Sequence, residues 1–150
     1  ENNKKNINDK NKNEYEKNKV KRISQNLQYN NEKYHTDINF RVRNCMSSNV
    51  RHSMKGNKAG RHWETLVGYT VADLKLHLES QFEDWMNWEN YGNKKGQWSI
   101  DHIIPISYFK NIATNEIEFR ECWSLKNLRP LNHIENIRKG NKLIAEICNV

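Results

Sequence analysis

The feature that most limits how this chain can fold is its opening stretch, ENNKKNINDKNKNEYEKNK, built almost wholly of Asn, Lys, Asp and Glu. Fixing a backbone costs roughly 1–2 kcal/mol per residue in lost entropy. A segment with so few apolar side chains cannot offset that cost by burial. The core must therefore be assembled from about residue 40 onward, where Phe40 marks a change of composition. Val20, Ile23 and Leu27 do recur at helical spacing. The first 40 residues are expected to form a polar Asn/Lys-rich arm, floppy at its start and helical from about residue 14 to 30.

The remainder, 41–150, has the length of one domain. With 35% hydrophobic and 29% charged residues the chain can build a compact core, but not along its whole length. Lys and Arg number 25 against 18 Asp and Glu, giving a net charge of +7. Such an excess fits a polyanionic partner, nucleic acid being the commonest for a basic protein. A basic surface that is merely solvated is the other reading. From Arg41 to His62 there are six Lys or Arg residues (Arg41, Arg43, Arg51, Lys55, Lys58 and Arg61) and no acid. Val42, Cys45, Met46 and Val50 fall at helical spacing within that run, so an apolar stripe should pack inward and the basic residues reach outward. Phosphate contact and a solvated face both remain open here, as a linker and a DNA-contacting helix do for the arm.

No apolar run is long enough to cross a bilayer, and no signal peptide is expected. The missing initiator Met points to a chain that begins inside a longer protein or after processing. Cys45, Cys122 and Cys148 are odd in number and widely spaced. They fit reduced thiols in a cytoplasmic protein, and they offer no clustered thiolates for a zinc ribbon.

Residues 41–95 read as a helical scaffold. Thr70 and Asp73 form a capping-box signature, with Tyr69 placed to staple onto Leu74. Val71, Leu74, Leu78 and Phe82 mark one helix face, which leaves His77 exposed and inert. Trp85, Trp88 and Tyr91 suit core or loop anchors, with base stacking as the alternative. Trp98 to Ile104 then reads as a strand ended by Pro105, and residues 127–131, NLRPL, as a second. A connection containing NEIEFRECW joins them. Asn132 and Glu135 open a helix that runs to Lys139 before Gly140. The expected class is α+β, with a small ββα unit over 96–142 at the C-terminal end.

Taken alone, the adjacent Asp101 and His102 are open to a bland reading: one side chain hydrogen-bonded in the core, the other facing water. In context, WSIDHIIPIS and FRECWSLKNLRPLNHIENIRKGNK resemble the HNH endonucleases of phages and bacteria, which have a ββα-metal fold. The resemblance rests on a W-x-I-D-H-I-x-P motif and an N-L-x-P-L-x-x-x-E-N-x-x-K-G pattern. With the upstream LVGYTVADLKLHLESQF and WENYG it covers about residues 62 to 142. It implies that Asp101 is the metal-binding acid and His102 the general base. It also implies that Asn127 is the middle Asn that stabilises the loop and helps hold the histidine. Asn136 stands nine residues after Asn127, where the family usually carries its last His, so this is an H-N-N variant. His133 falls three residues early and reads as a helix-surface residue. Where some relatives carry structural zinc cysteines this chain has Asn132 and Glu135, so no structural zinc is expected.

These residue types suit hydrolysis of a phosphodiester. A carboxylate from Asp101 and an amide oxygen from Asn136 are hard ligands, suited to one Mg²⁺ or Mn²⁺ ion. Neutral His102, titrating near ~6.5, would take a proton from the attacking water. Asn136 lies in the first turn of its helix, whose dipole repels cations, so metal binding should be weak without DNA. Arg129, Arg138, Lys139 and Lys142 are expected to add phosphate contacts. The expected activity is metal-dependent cleavage of double-stranded DNA in the cytoplasm of a bacterial or phage-infected cell, with no membrane partner. A catalytically silent DNA-binding module and an RNA-directed nuclease on the same fold are the alternatives.

Overall fold

The computed structural model describes residues 2–55 and 60–143, with side chains from residue 12 onward. Lys58 and Cys148 lie outside the described residues. The chain divides into two compact units, Glu1–Arg41 and Val42–Val150.

In the first unit, helix α1 spans Asn2–Thr36, well beyond the expected 14–30. The sequence contains neither Gly nor Pro before Gly56, so no residue in this stretch breaks the backbone pattern. The apolar residues that suggest the helix, Val20, Ile23 and Leu27, are 64%, 50% and 65% exposed. Asp37 ends the run, its Oδ1 accepting the Phe40 N–H at 3.1 Å as helix α2, Ile38–Ser53, begins.

In the second unit, α2 buries Val42, Met46 and Val50, the stripe expected from their spacing. A short α3, Trp63–Val67, follows, and Gly68 ends it with φ 83, a left-handed conformation that favours glycine. Helix α4, Val71–Glu79, has the full capping box between Thr70 and Asp73 and buries Val71, Leu74 and Leu78. Phe82, just past it, sets its ring edge-on against Trp98 with centroids 4.8 Å apart. Trp88 and Tyr91 flank the same indole at 5.1 and 4.8 Å. Trp98 is fully buried, and its Nε1 donates to Asn87 O at 2.7 Å. These aromatics thus anchor the start of the first strand, whereas Trp85 stays exposed.

The sheet has two antiparallel strands, β1 (Trp98–His102) and β2 (Leu128–Asn132), with Asp101 opposite Arg129 and His102 opposite Leu128. Between them lies α5, Glu116–Cys122, capped by Asn115, whose Oδ1 accepts from Ile117 and Glu118. Expected as a connection, this stretch is a helix packed beside α3, burying Phe119 and Cys122. After β2, Asn132 caps α6, His133–Lys139, which Gly140 ends. The class is α+β. No helix among the described residues is long and apolar enough to cross a membrane.

His77 is not the exposed, inert residue of the sequence reading. It is half-buried, with Nε2 2.9 Å from Leu128 O, and so ties α4 to β2. Glu64 has no place in that reading either. Its carboxylate accepts the Val71 N–H at 2.9 Å and lies 4.0 Å from Arg43 and 3.3 Å from His62. The acid-free run of sequence therefore acquires an acid from α3.

Candidate active site

Alternation along β1 sends Ser99 and Asp101 to one face of the ribbon, and Trp98, Ile100 and His102 to the other. The first face receives α6. Asn136 Nδ2 donates to Ser99 Oγ at 3.0 Å, and Lys139 Nζ reaches Asp101 Oδ1 at 2.8 Å. The second face presents His102 to Trp123, ring edge to ring face, with centroids 4.5 Å apart. Asp101 and His102 therefore reach the end of the strand from opposite sides. They meet at a cleft of ≈ 180 Å³ that Asn136, Lys139, Pro105 and Ile106 also line.

Asn127 does not line this cleft; it builds the loop beside it. Its Oδ1 accepts the Ile104 N–H at 2.8 Å, and its Nδ2 donates to Cys122 O at 2.8 Å and Ile104 O at 3.2 Å. Its own carbonyl accepts the Ile103 N–H at 2.8 Å. This one residue, through its carbonyl and its side chain, substitutes for strand pairing beyond His102, which explains why β1 stops two residues before the expected Ile104. Asn127 itself belongs to a 3₁₀ turn, Leu125–Asn127, and β2 starts one residue later than expected.

Asp101 is 4% exposed and fully engaged: Lys139 holds Oδ1, and Arg129 Nε holds Oδ2 at 3.0 Å. Lys139 also donates to His102 O. From sequence, Arg129 and Lys139 are expected to make outward phosphate contacts. In the fold both turn onto Asp101, and Lys139 is only 6% exposed. The cause is geometric, since cross-strand partners share a face and α6 covers that face. Arg129 Nη2 is buried without a hydrogen-bond partner among the described residues, as is His102 Nε2.

Burial pushes the His102 imidazole from its ordinary 6.5 down to about 4; Asp101 opposes that shift and Lys139 adds to it. The ring is therefore neutral at pH 7, which a proton acceptor requires. Burial also raises the Cys122 thiol to about 12, which makes it an inert core residue. Cys45 is half-buried on α2. His133, expected on the helix surface, is half-buried, with Nδ1 3.3 Å from Ser99 Oγ. Ser99 thereby links His133 to Asn136.

The donor chemistry at this cleft fits a hard divalent cation. Nδ2 of Asn136 is committed to Ser99 Oγ, which leaves Oδ1 as the ligand atom; the Asp101 carboxylate is the matching hard donor, and its oxygens are held by Lys139 and Arg129. No group of three or more His, Cys, Asp or Glu side chains that could hold a metal occurs among the described residues. An ion here would have two protein oxygens and complete its shell with water or phosphate.

Of the remaining basic residues, Arg43, Arg51, Lys55, Arg61, Arg138 and Lys142 are exposed, and Arg41 is half-buried. Lys55 adopts a left-handed φ of 51 where α2 has ended.

No family model matches the chain, and no solved structure matches it. Among curated proteins, an uncharacterized protein of Acanthamoeba polyphaga mimivirus is 34% identical over 117 residues. The match covers 76% of this chain and 48% of the viral protein, so the chain spans about half the length of that relative.

Proposed function

We propose that this chain is a metal-dependent endonuclease of the HNH type, hydrolysing phosphodiester bonds in double-stranded DNA on a ββα-metal core made of β1, β2 and α6. The observation that carries this reading is the convergence of Asp101, His102 and Asn136, from β1 and α6, on one open cleft. His102 is the general base. It is kept neutral by burial, and Nε2, buried and without a hydrogen-bond partner among the described residues, is the ring nitrogen assigned to take the proton from a water admitted to the cleft. Asp101 and Asn136 Oδ1 would hold one Mg²⁺ or Mn²⁺, which when bound would supply Lewis-acid stabilisation of charge on the phosphate. Ser99 fixes the Asn136 amide so that its oxygen is the available atom. Asn127 acts through the loop that it ties to β1 and Cys122, as a positioning residue. The exposed Arg43, Arg51, Lys55, Arg61, Arg138 and Lys142 would contact backbone phosphates outside the cleft. The cytoplasm of a bacterial or phage-infected cell is where such an enzyme would meet DNA.

The test is incubation of the protein with supercoiled plasmid in Mg²⁺ or Mn²⁺ and in EDTA. Nicking or linearisation that EDTA abolishes is the expected result; an intact plasmid under every condition would overturn the reading. A second reading, a DNA-binding module without chemistry, is favoured by the occupation of both Asp101 oxygens by cationic side chains. It requires a gel shift without strand breakage in the same samples.

A further inference from the structure

Resting on the metal-site reading above, we propose that Lys139 is an internal counter-cation that a divalent ion must displace, so that the cleft takes phosphate first and metal second. Asp101 is the single carboxylate among the residues that line the cleft. It faces two cations, Lys139 Nζ at 2.8 Å and Arg129 Nε at 3.0 Å. One negative charge against two positive charges leaves the cluster at +1. A divalent ion arriving alone would raise this to +3 within contact distance, where repulsion between like charges is strong because solvent screens buried groups poorly.

The missing negative charge must therefore come from the ligand. A phosphodiester contributes one, and of the two cations on Asp101 it is Lys139 that lines the cleft and can receive it. Arg129 does not line the cleft; its Nη2 is buried behind Asp101 with no hydrogen-bond partner among the described residues, so it would add charge from behind the site while Lys139 makes the contact. Lys139 ends in a compact ammonium on a flexible stem, and can pass from a carboxylate to a phosphate oxygen without losing an ion pair. Lys139 stands three residues after Asn136 on α6, so one helix face presents both the amide ligand and the competing ammonium. When Lys139 moves to phosphate, Asp101 Oδ1 is released beside Asn136. Binding of phosphate and binding of metal then strengthen each other by the same factor.

The experiment measures Mn²⁺ binding to the full chain by electron paramagnetic resonance, without nucleic acid. Wild-type protein should bind Mn²⁺ weakly. Lys139→Met should bind it about tenfold more tightly or better, because a unit charge at contact distance has been removed. Lys139→Arg, which keeps the charge, should remain as weak as wild type. Asp101→Asn added to Lys139→Met should erase the gain. Lys139→Gln retains a donor for Asp101 and His102 O and should show the same direction, so the test survives if the Met variant does not fold. Unchanged Mn²⁺ affinity in a folded neutral variant overturns the proposal, as does a gain that persists with Asp101→Asn. Plasmid cleavage separates this result from the functional reading. An Asp101-dependent gain with no cleavage by wild-type protein sinks the nuclease and leaves the counter-cation. Cleavage with no gain does the reverse.

Discussion

An imidazole buried with one ring nitrogen unpartnered makes stability depend on pH, and His102 is such a group. Its folded-state value of about 4 lies below the ordinary 6.5. Between those values the unfolded chain accepts a proton that the folded chain refuses. The contribution of neutral His102 is therefore fully present above 6.5 and is lost as pH falls toward 4. His102→Ala should lower stability overall by opening a cavity beside Trp123, and should also flatten the dependence of the urea midpoint on pH across that window. The same variant should lose about 10²–10⁴-fold in cleavage rate. DNA affinity should be nearly unchanged, because His102 is assigned to proton transfer and not to ground-state binding. In wild-type protein the acid limb of the rate profile should lie nearer 4 than 6.5. A limb at the ordinary value would mean that another group titrates, or that the cleft admits enough water to restore it.

At the level of elements, the loop between the two strands depends on Asn127. Asn127→Ala would leave the Ile104 N–H and the Cys122 carbonyl without their present partners. Each unsatisfied buried group costs about 1–3 kcal/mol, so a loss of about 3 kcal/mol in unfolding free energy is expected from denaturation curves. Asn127→Asp keeps an acceptor for Ile104 but removes both donors, and should fall between the two. A loss within experimental error in the Ala variant would show that the loop has other anchors. What can be read from the sequence follows the same division between local and distant partners. The caps at Thr70 and Asn132 are legible because donor and acceptor lie within three residues. Asn115 and Glu118 have the spacing of Thr70 and Asp73, so α5 carries a usable local signal that its reading as a connection leaves unused. His77 and Glu64 carry none, since nothing local shows that Leu128 will lie over α4 or that α3 will approach Arg43. Register is equally hidden. Without knowing that Arg129 stands opposite Asp101, a basic residue beside a motif looks like an outward phosphate contact.

Over the whole molecule, the surplus of positive charge makes its strongest prediction through salt. The net charge of +7 is not spread evenly along the sequence, and Arg43, Arg51 and Lys55 sit exposed on and just after α2. If that surface lies along a duplex backbone, each residue that neutralises a phosphate releases a counterion on binding. Changing all three to Glu should weaken binding to unrelated duplexes by similar factors and flatten the plot of log K against log salt. The slope should fall by about 0.9 for each phosphate no longer neutralised, hence by roughly 2.7 if all three touch phosphate and roughly 1.8 if Arg43 stays with Glu64. Single-turnover cleavage at saturating DNA should change much less, because on the proposed reading these residues would position the duplex and would not touch the reacting phosphate. Titrations at several salt concentrations against two duplexes of unrelated sequence separate the possibilities. An unchanged slope would make this a solvated face and leave the charge excess to other residues. Weakening confined to one of the duplexes would mean that α2 reads bases, and phosphate contact alone would no longer account for its charge.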